Sequence, residues 1–374
     1  MNILVILSNP FTNDPRVSNE TKSLVDKGHK VTILCWDKSG ENPSFEKKDG
    51  VKIFRSYNTW LMKRLPFDIF RLHFWWRKGF KDVLEIHEKS PFDVIHCHDL
   101  DTLPIGVKLK KKFGLPLIYD AHEIWGYMVA RDLPKPWANY YLKKEKRLIK
   151  HVDKVITVNE PLKDYFEKIC NKDISIIMNC KPLQETEYNP PKNDKFTILY
   201  LGSLSRSRFL IELAETVEKL SDIHCIIGGK GKPDYEEALV QKCSVINNVD
   251  FIGLNPMENV IPLTKKADAV VCMTSPLDPN NSIATANKQF EAMVCGRPII
   301  CTEDTYPGFF TEKENCGLIS AFTKNDLEKT ILLLKNNPNL CKRLGKNALE
   351  AAKREYNWDK QEEKLIKIYD EIAK

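Results

Sequence analysis

No C-x-x-C pair occurs in this chain, although it holds eleven cysteines. They stand singly, at positions such as Cys35, Cys97, Cys170 and Cys243. That spacing argues against a zinc site or a disulfide framework, and free thiols fit a reducing cytoplasm. The G-x-G-x-x-G fingerprint is missing from the first crossover, so NAD or FAD binding is not supported. The glycine-dense run Ile226–Lys232 lacks the G-K-[ST] of a P-loop. No run of about 18 uncharged apolar residues offers a membrane span. Met1 to Leu7 enters a strand directly, without a basic leader or cleavage site. Solenoid repeats and low-complexity tracts are absent too. Charge of one sign is scarce: Lys+Arg 57 against Asp+Glu 51 leaves +6. A balance that mild does not call for a nucleic-acid partner.

What is present is enough apolar material, 42% of 374 residues, for two buried cores. Ile3 to Leu7 is an unbroken apolar run, the pattern of a strand buried on both faces. A polar loop, a helix ending at Gly28 and a strand over Val31–Cys35 complete a βαβ unit, so the sheet is expected to be parallel. Further strands are expected at Val51–Arg55, Phe92–His96, Leu117–Tyr119, Lys154–Val158 and Ser175–Met178. Between Trp60 and His87 aromatics alternate with cations, among them Trp75 and Trp76 beside Arg77 and Lys78. The stretch is either a helical hairpin packing its rings on the sheet or an element lying on an anionic membrane surface. The packing reading is preferred.

Two strands end in polar clusters: His96, His98 and Asp99, and then Asp120, His122 and Glu123. Ligands collect outside the carboxyl ends of parallel strands. If these strands are near neighbours, both clusters face one crevice. Their number would suffice for a metal, but no H-E-x-x-H or helical i, i+4 pair occurs, so no metal is expected. The stretch Cys180 to Lys195 carries Pro182, Pro190 and Pro191 without periodicity, which is a linker composition.

After it a second βαβ series begins at Phe196. Gly202 permits close backbone approach, and Arg206 or Arg208 in the following turn suits a diphosphate. The stretch Asn281–Ile300 reads as loop, helix, turn and strand, with polar Asn280 to Ser282 ahead of the helix and Gly296 as its left-handed cap. The start of such a helix is a ready anion site. Glu291, about two turns in, can accept hydrogen bonds from a ribose diol. Tyr306, Pro307 and Gly308 are expected to form a loop. The fold class is α/β, with two Rossmann-like parallel-sheet domains facing each other across a cleft. The first spans residues 1–185 with helix 358–374 packing back on it, and the second spans residues 190–357.

Over nearly its whole length the chain resembles glycosyltransferase family 4, with the two-Rossmann (GT-B) fold. The resemblance lies in N13-D-P-R16-V, H96-C-H98-D99, Y119-D-A-H122-E123, Y200-L-G202-S-L-S-R-S-R208 and N287-K-Q-F-E291-A-M-V-C-G296-R-P-I-I. It implies that Glu291 holds the nucleotide ribose and that Arg208, with Arg206 as a rival, contacts the diphosphate. His122 is implied to stand near the reacting sugar. Gly202, Asn287 and Lys288 join the donor site, and Asp14, Arg16 and His98 lie on the acceptor side. One departure stands out: Ile283 occupies the position of the first Glu of the family's paired motif, which usually contacts the donor sugar.

The activity implied is transfer of a sugar, with retention, from a UDP- or GDP-sugar to a glycan or lipid-linked acceptor. No cofactor is implied, because the nucleotide-sugar is a substrate. The expected location is cytoplasmic, peripheral on the inner face of the membrane. A nucleotide-sugar epimerase is one alternative. A non-catalytic nucleotide-sugar-binding subunit, suggested by Ile283, is another.

Overall fold

The computed structural model describes residues 1–374. The chain divides into two compact units, one formed by Met1–Met178 with Glu362–Lys374 and the other by Asn179–Gln361.

In the first unit eight strands form one sheet. They are β1 (Asn2–Leu7), β2 (Lys30–Asp37), β3 (Phe45–Lys48), β4 (Val51–Tyr57), β5 (Val94–His98), β6 (Leu117–Ala121), β7 (Lys154–Thr157) and β8 (Ile174–Ile176). Their order is β3-β4-β2-β1-β5-β6-β7-β8. The apolar runs of β1 and β5 occupy the middle, where both faces are covered and Ile3, Leu4 and Ile95 lose all contact with solvent. The expected parallel sheet is corrected at one edge, where β3 pairs antiparallel with β4. β3 is a short, charged Phe-Glu-Lys-Lys strand reached by a tight turn at Asp49-Gly50, and such strands suit exposed edges.

The second unit carries β9 (Phe196–Leu204), β10 (Ile223–Gly231), β11 (Val249–Phe251), β12 (Ala269–Cys272), β13 (Ile299–Thr302) and β14 (Gly317–Ser320), in the order β11-β10-β9-β12-β13-β14. Every pairing here is parallel. Each unit is therefore a doubly wound α/β body. In each, the chain moves out from a central strand and then returns to build the other side, leaving a switch point at the carboxyl ends.

Two local expectations are overturned. Tyr306 to Gly308 is the first turn of a helix, Tyr306–Lys313, rather than a loop. Thr305 caps it by accepting from the Gly308 N–H at 3.1 Å, and Pro307 supplies the fixed φ of a first helical turn. The helix bearing Glu291 is Asn287–Val294, which starts later than the polar residues Asn280 to Ser282 suggested. Those residues lie in a turn, where the Asp278 carboxylate accepts from the Asn280 and Asn281 N–H groups at 3.1 and 2.9 Å.

The aromatic-basic stretch folds as helices Trp60–Lys63 and Asp68–Lys89. Trp75 is wholly buried and stacks on Trp36 at 5.1 Å, and the buried Trp76 donates its indole N–H to the Asp101 carbonyl at 2.5 Å. These two rings are core, which removes them from any membrane-facing surface. Trp75→Ala should cost about 3–5 kcal/mol in urea unfolding. Trp60→Ala, at a side chain 67% exposed, should stay within about 0.5 kcal/mol of wild type.

Candidate active site

In the first unit the ends of β5 and β6 are paired, with His98 opposite Asp120. This register brings both polar clusters together. Asp120 is fully buried and takes a forked guanidinium from Arg16, with Nε donating at 3.0 Å and Nη2 at 2.8 and 2.9 Å. Arg16 also donates to the Ile177 carbonyl at 2.7 Å. Asp14 acts as the cap of helix Pro15–Asp26, accepting from the Val17 N–H at 3.1 Å, and its other oxygen accepts from Asn9 at 2.9 Å. Asp14 thus aims Arg16 into the sheet. Arg16 and His98 are sealed in, at 4% exposure each, and neither presents a free surface to an acceptor.

His122 and Asp99 are members of the cluster that reach the surface. The His122 Nδ1 lies 3.3 Å from the Asp99 carboxylate and its Nε2 3.4 Å from Asp120. Asp99 also accepts from the His122 backbone N–H at 2.9 Å. The site costs backbone strain, because Asp99 holds φ 57° in the left-handed region that disfavours a side chain. Burial alone would lower the His122 pKa, but Asp99 and Asp120 outweigh it and hold the ring protonated well above the usual histidine value. Burial would likewise raise Asp120, but Arg16 and the histidines hold it well below the carboxylate range.

Behind His122 sit His98, His96, Glu20 and, from the last helix, Tyr369. The Tyr369 hydroxyl is 2.8 Å from His96 Nδ1. Glu20 lies 3.1 Å from Arg16 and 3.7 Å from His98, and burial pushes its carboxyl up to about 8. Burial, with His96 adjacent, depresses His98 well below the normal value. Glu20, His96, His98 and Asp120 each place one ligand atom within 4.8 Å of the others, enough in number for a metal ion. Arg16 already takes up Asp120 and flanks Glu20, so a cation entering there would meet a fixed positive charge. Glu20 and Tyr369 were not legible as site residues. Glu20 stands four residues after Arg16 on one helix face, which was the available signal.

In the second unit a hollow of about 460 Å³ lies at the carboxyl ends of β9 and β10. Gly202 and Gly229 form one wall, with φ 147° and 148°. A Cβ on Gly229 would stand 1.7 Å from the Gly202 carbonyl oxygen, so only glycine fits there. The hollow brings together Gly202, Arg208, Asn287, Lys288 and Glu291. Arg206 is exposed on the outer side of the same 3-10 turn and does not line it. Arg208 is held by Thr274 and Asn281, each accepting at 3.2 Å.

Lys288 lies over the Tyr200 ring, 4.4 Å from its centroid, with its ammonium group against Gly202. The helix Asn287–Val294 has no side-chain oxygen on Ala286 to cap its first turn, while Gln289 Oε1 accepts from the Ala286 N–H at 3.3 Å. Its first-turn N–H groups and two cations therefore address one space. Glu291 is 8% exposed and lies 3.5 Å from Lys181. Asn179 donates to Asn287 at 3.0 Å. Lys181 was missed because it sits in the stretch read as linker, and Asn179 because it reads only as the end of the strand before it. Ile283 lines a different hollow, with Asp304 and Tyr306.

Comparison with known proteins bears on both units. Residues 16–184 match the family described as Glycosyltransferase Family 4, and residues 184–351 match Glycosyl transferases group 1. An uncharacterized glycosyltransferase of Methanocaldococcus jannaschii is 25% identical over 308 residues, covering 79% of this chain and 80% of the relative. Among solved structures, sucrose-phosphate synthase from Thermosynechococcus elongatus superposes with TM-score 0.82 at 18% identity, covering 100% of this chain and 99% of that one. Anabaena HepE in complex with UDP-glucose gives TM-score 0.74 at 14% identity, covering 99% and 100%.

The buried ion pair makes a stability prediction. Asp120 has a lowered pKa in the fold, so its contribution is present above the unfolded value of about 3.9 and is lost as pH falls toward its folded value. Asp120→Asn should cost about 3–5 kcal/mol in urea unfolding at neutral pH, because Arg16 is left as an unpaired buried charge. The variant should also lose part of the wild-type decline in stability below about pH 4.

Proposed function

The chain belongs to glycosyltransferase family 4, and on that premise we propose that it moves a sugar from a nucleoside-diphosphate donor to an acceptor hydroxyl with retention at the anomeric carbon. One observation carries the reading. Arg208, Lys288 and the start of helix Asn287–Val294 converge on a glycine-walled hollow in which Glu291 is the nearby acid. That is a field for a diphosphate with a carboxylate placed to accept from a ribose diol. HepE, of like fold, was crystallised with UDP-glucose, and a uridine or guanosine diphosphate sugar is the donor class proposed here.

In the proposed reaction the bond from the anomeric carbon to the diphosphate oxygen breaks, and negative charge grows on the departing phosphate. Arg208, Lys288 and the helix start lie where that charge develops, so they stabilise the transition state more than the ground state. The acceptor oxygen bonds the anomeric carbon on the face the diphosphate leaves, and its proton passes to the departing phosphate oxygen. His122, kept as imidazolium with its two ring nitrogens facing Asp99 and Asp120, is proposed to supply a fixed positive charge rather than a free donor. The sugar contact that a Glu at position 283 would supply has no counterpart in Ile283. No metal is assigned a role, since the diphosphate charge is met by protein groups.

Arg208→Ala should lower kcat/KM about 10²–10³-fold. Glu291→Ala should act mainly through donor affinity, weakening UDP binding by calorimetry about tenfold. Wild-type transfer in both variants would refute the assignment. Incubation of donor without acceptor should give at most slow hydrolysis, whereas conversion of the sugar would point to an epimerase.

A further inference from the structure

The first unit holds a second cavity, of about 320 Å³, that the proposed donor chemistry does not use. Its walls are mostly apolar: Trp36, Ile69, Leu72, Met128 and Leu133. Phe67 lines it as well and is 56% exposed, so the apolar lining runs out to the molecular surface. At its rim Lys38 pairs with Asp68 at 3.0 Å, and Asp132 adds a second acid.

The inner end of the cavity is polar in a particular way. Asp101 is 4% exposed, yet its Oδ1 has no hydrogen-bond partner, and neither does the Trp125 indole N–H. Unpaired groups so deeply buried are costly and call for a ligand atom. Burial and the nearby Asp99 charge push the Asp101 carboxyl up to about 8, so at neutral pH it carries a proton and can donate as well as accept. Asp101 is two residues beyond Asp99, and Trp125 three beyond His122. The Asp99 charge acts on Asp101, so the polar end adjoins the Asp99–His122 pair, and the apolar lining extends to Phe67.

We infer that this cavity takes an amphiphile: a hydroxylated head at Asp101 and Trp125, and a hydrocarbon chain along Ile69, Leu72 and Met128. The inference stands on the cavity alone and does not depend on the donor hollow of the second unit. A purely polar glycan would leave the apolar walls in water, whereas a chain removes them from it. A volume near 300 Å³ is at the lower end of small-molecule sites and suits one chain rather than a protein segment.

The test uses the full chain and two probes, octyl glucoside below its micelle concentration and methyl glucoside, with tryptophan fluorescence as readout because Trp36 and Trp125 line the cavity. Octyl glucoside should bind at least about tenfold more tightly than methyl glucoside. The preference should vanish in Ile69→Asp and, should that variant fold poorly, in the cavity-filling Leu133→Trp. Equal affinity for the two probes, or an octyl preference that survives in the folded variants, overturns the inference. UDP binding followed in the same samples separates the two readings. Octyl binding without UDP binding removes the donor assignment and leaves the amphiphile site standing, and UDP binding without octyl preference does the reverse.

Discussion

Arg208 and Lys288 are held against one glycine-walled hollow, and the rest of the functional account depends on that concentration of positive charge. Both cations have neutral partners. Arg208 is tied by a hydroxyl and an amide oxygen, and Lys288 by an aromatic ring. Neutral partners fix the direction of these side chains while leaving their charge available. The acid in the hollow, Glu291, faces Lys181. A diphosphate entering the hollow would find donors already oriented, which lowers the reorganisation needed during reaction.

The first unit solves the opposite problem. It buries charge inside a sheet and keeps it there by pairing. Arg16 and Asp120 complete a forked pair, Glu20 tends toward its neutral form, and His98 toward its uncharged form. The one ring left positive, His122, is the one at the surface. Breaking such a network leaves an uncompensated charge, and this makes Asp120 a structural anchor for His122 as well as its electrostatic partner.

Much of this was legible in the residues themselves. The apolar runs of β1 and β9 announced buried parallel strands, and Gly202, Arg208, Asn287, Lys288 and Glu291 meet in one hollow. The edge strand β3 escaped notice because a four-residue charged strand carries almost no periodicity. The helix at Tyr306 was hidden by Pro307, which marks a helix start as readily as a loop. Arg206 and Arg208 are equivalent in sequence, and only the 3-10 turn separates the outward one from the inward one. Arg16 and His98 are buried, which cannot be read from a polar letter in a helix start or at a strand end. Lys181 pairs with Glu291 across more than a hundred residues, a distance that no local pattern encodes.

The most direct test of the central claim is amide hydrogen exchange with and without UDP. The account predicts slowed exchange in two separate segments, Gly202 to Arg208 and Ala286 to Glu291, with little change around Asp304 to Phe309. Protection confined to other segments, or none with either uridine or guanosine diphosphate at saturating concentration, would contradict it.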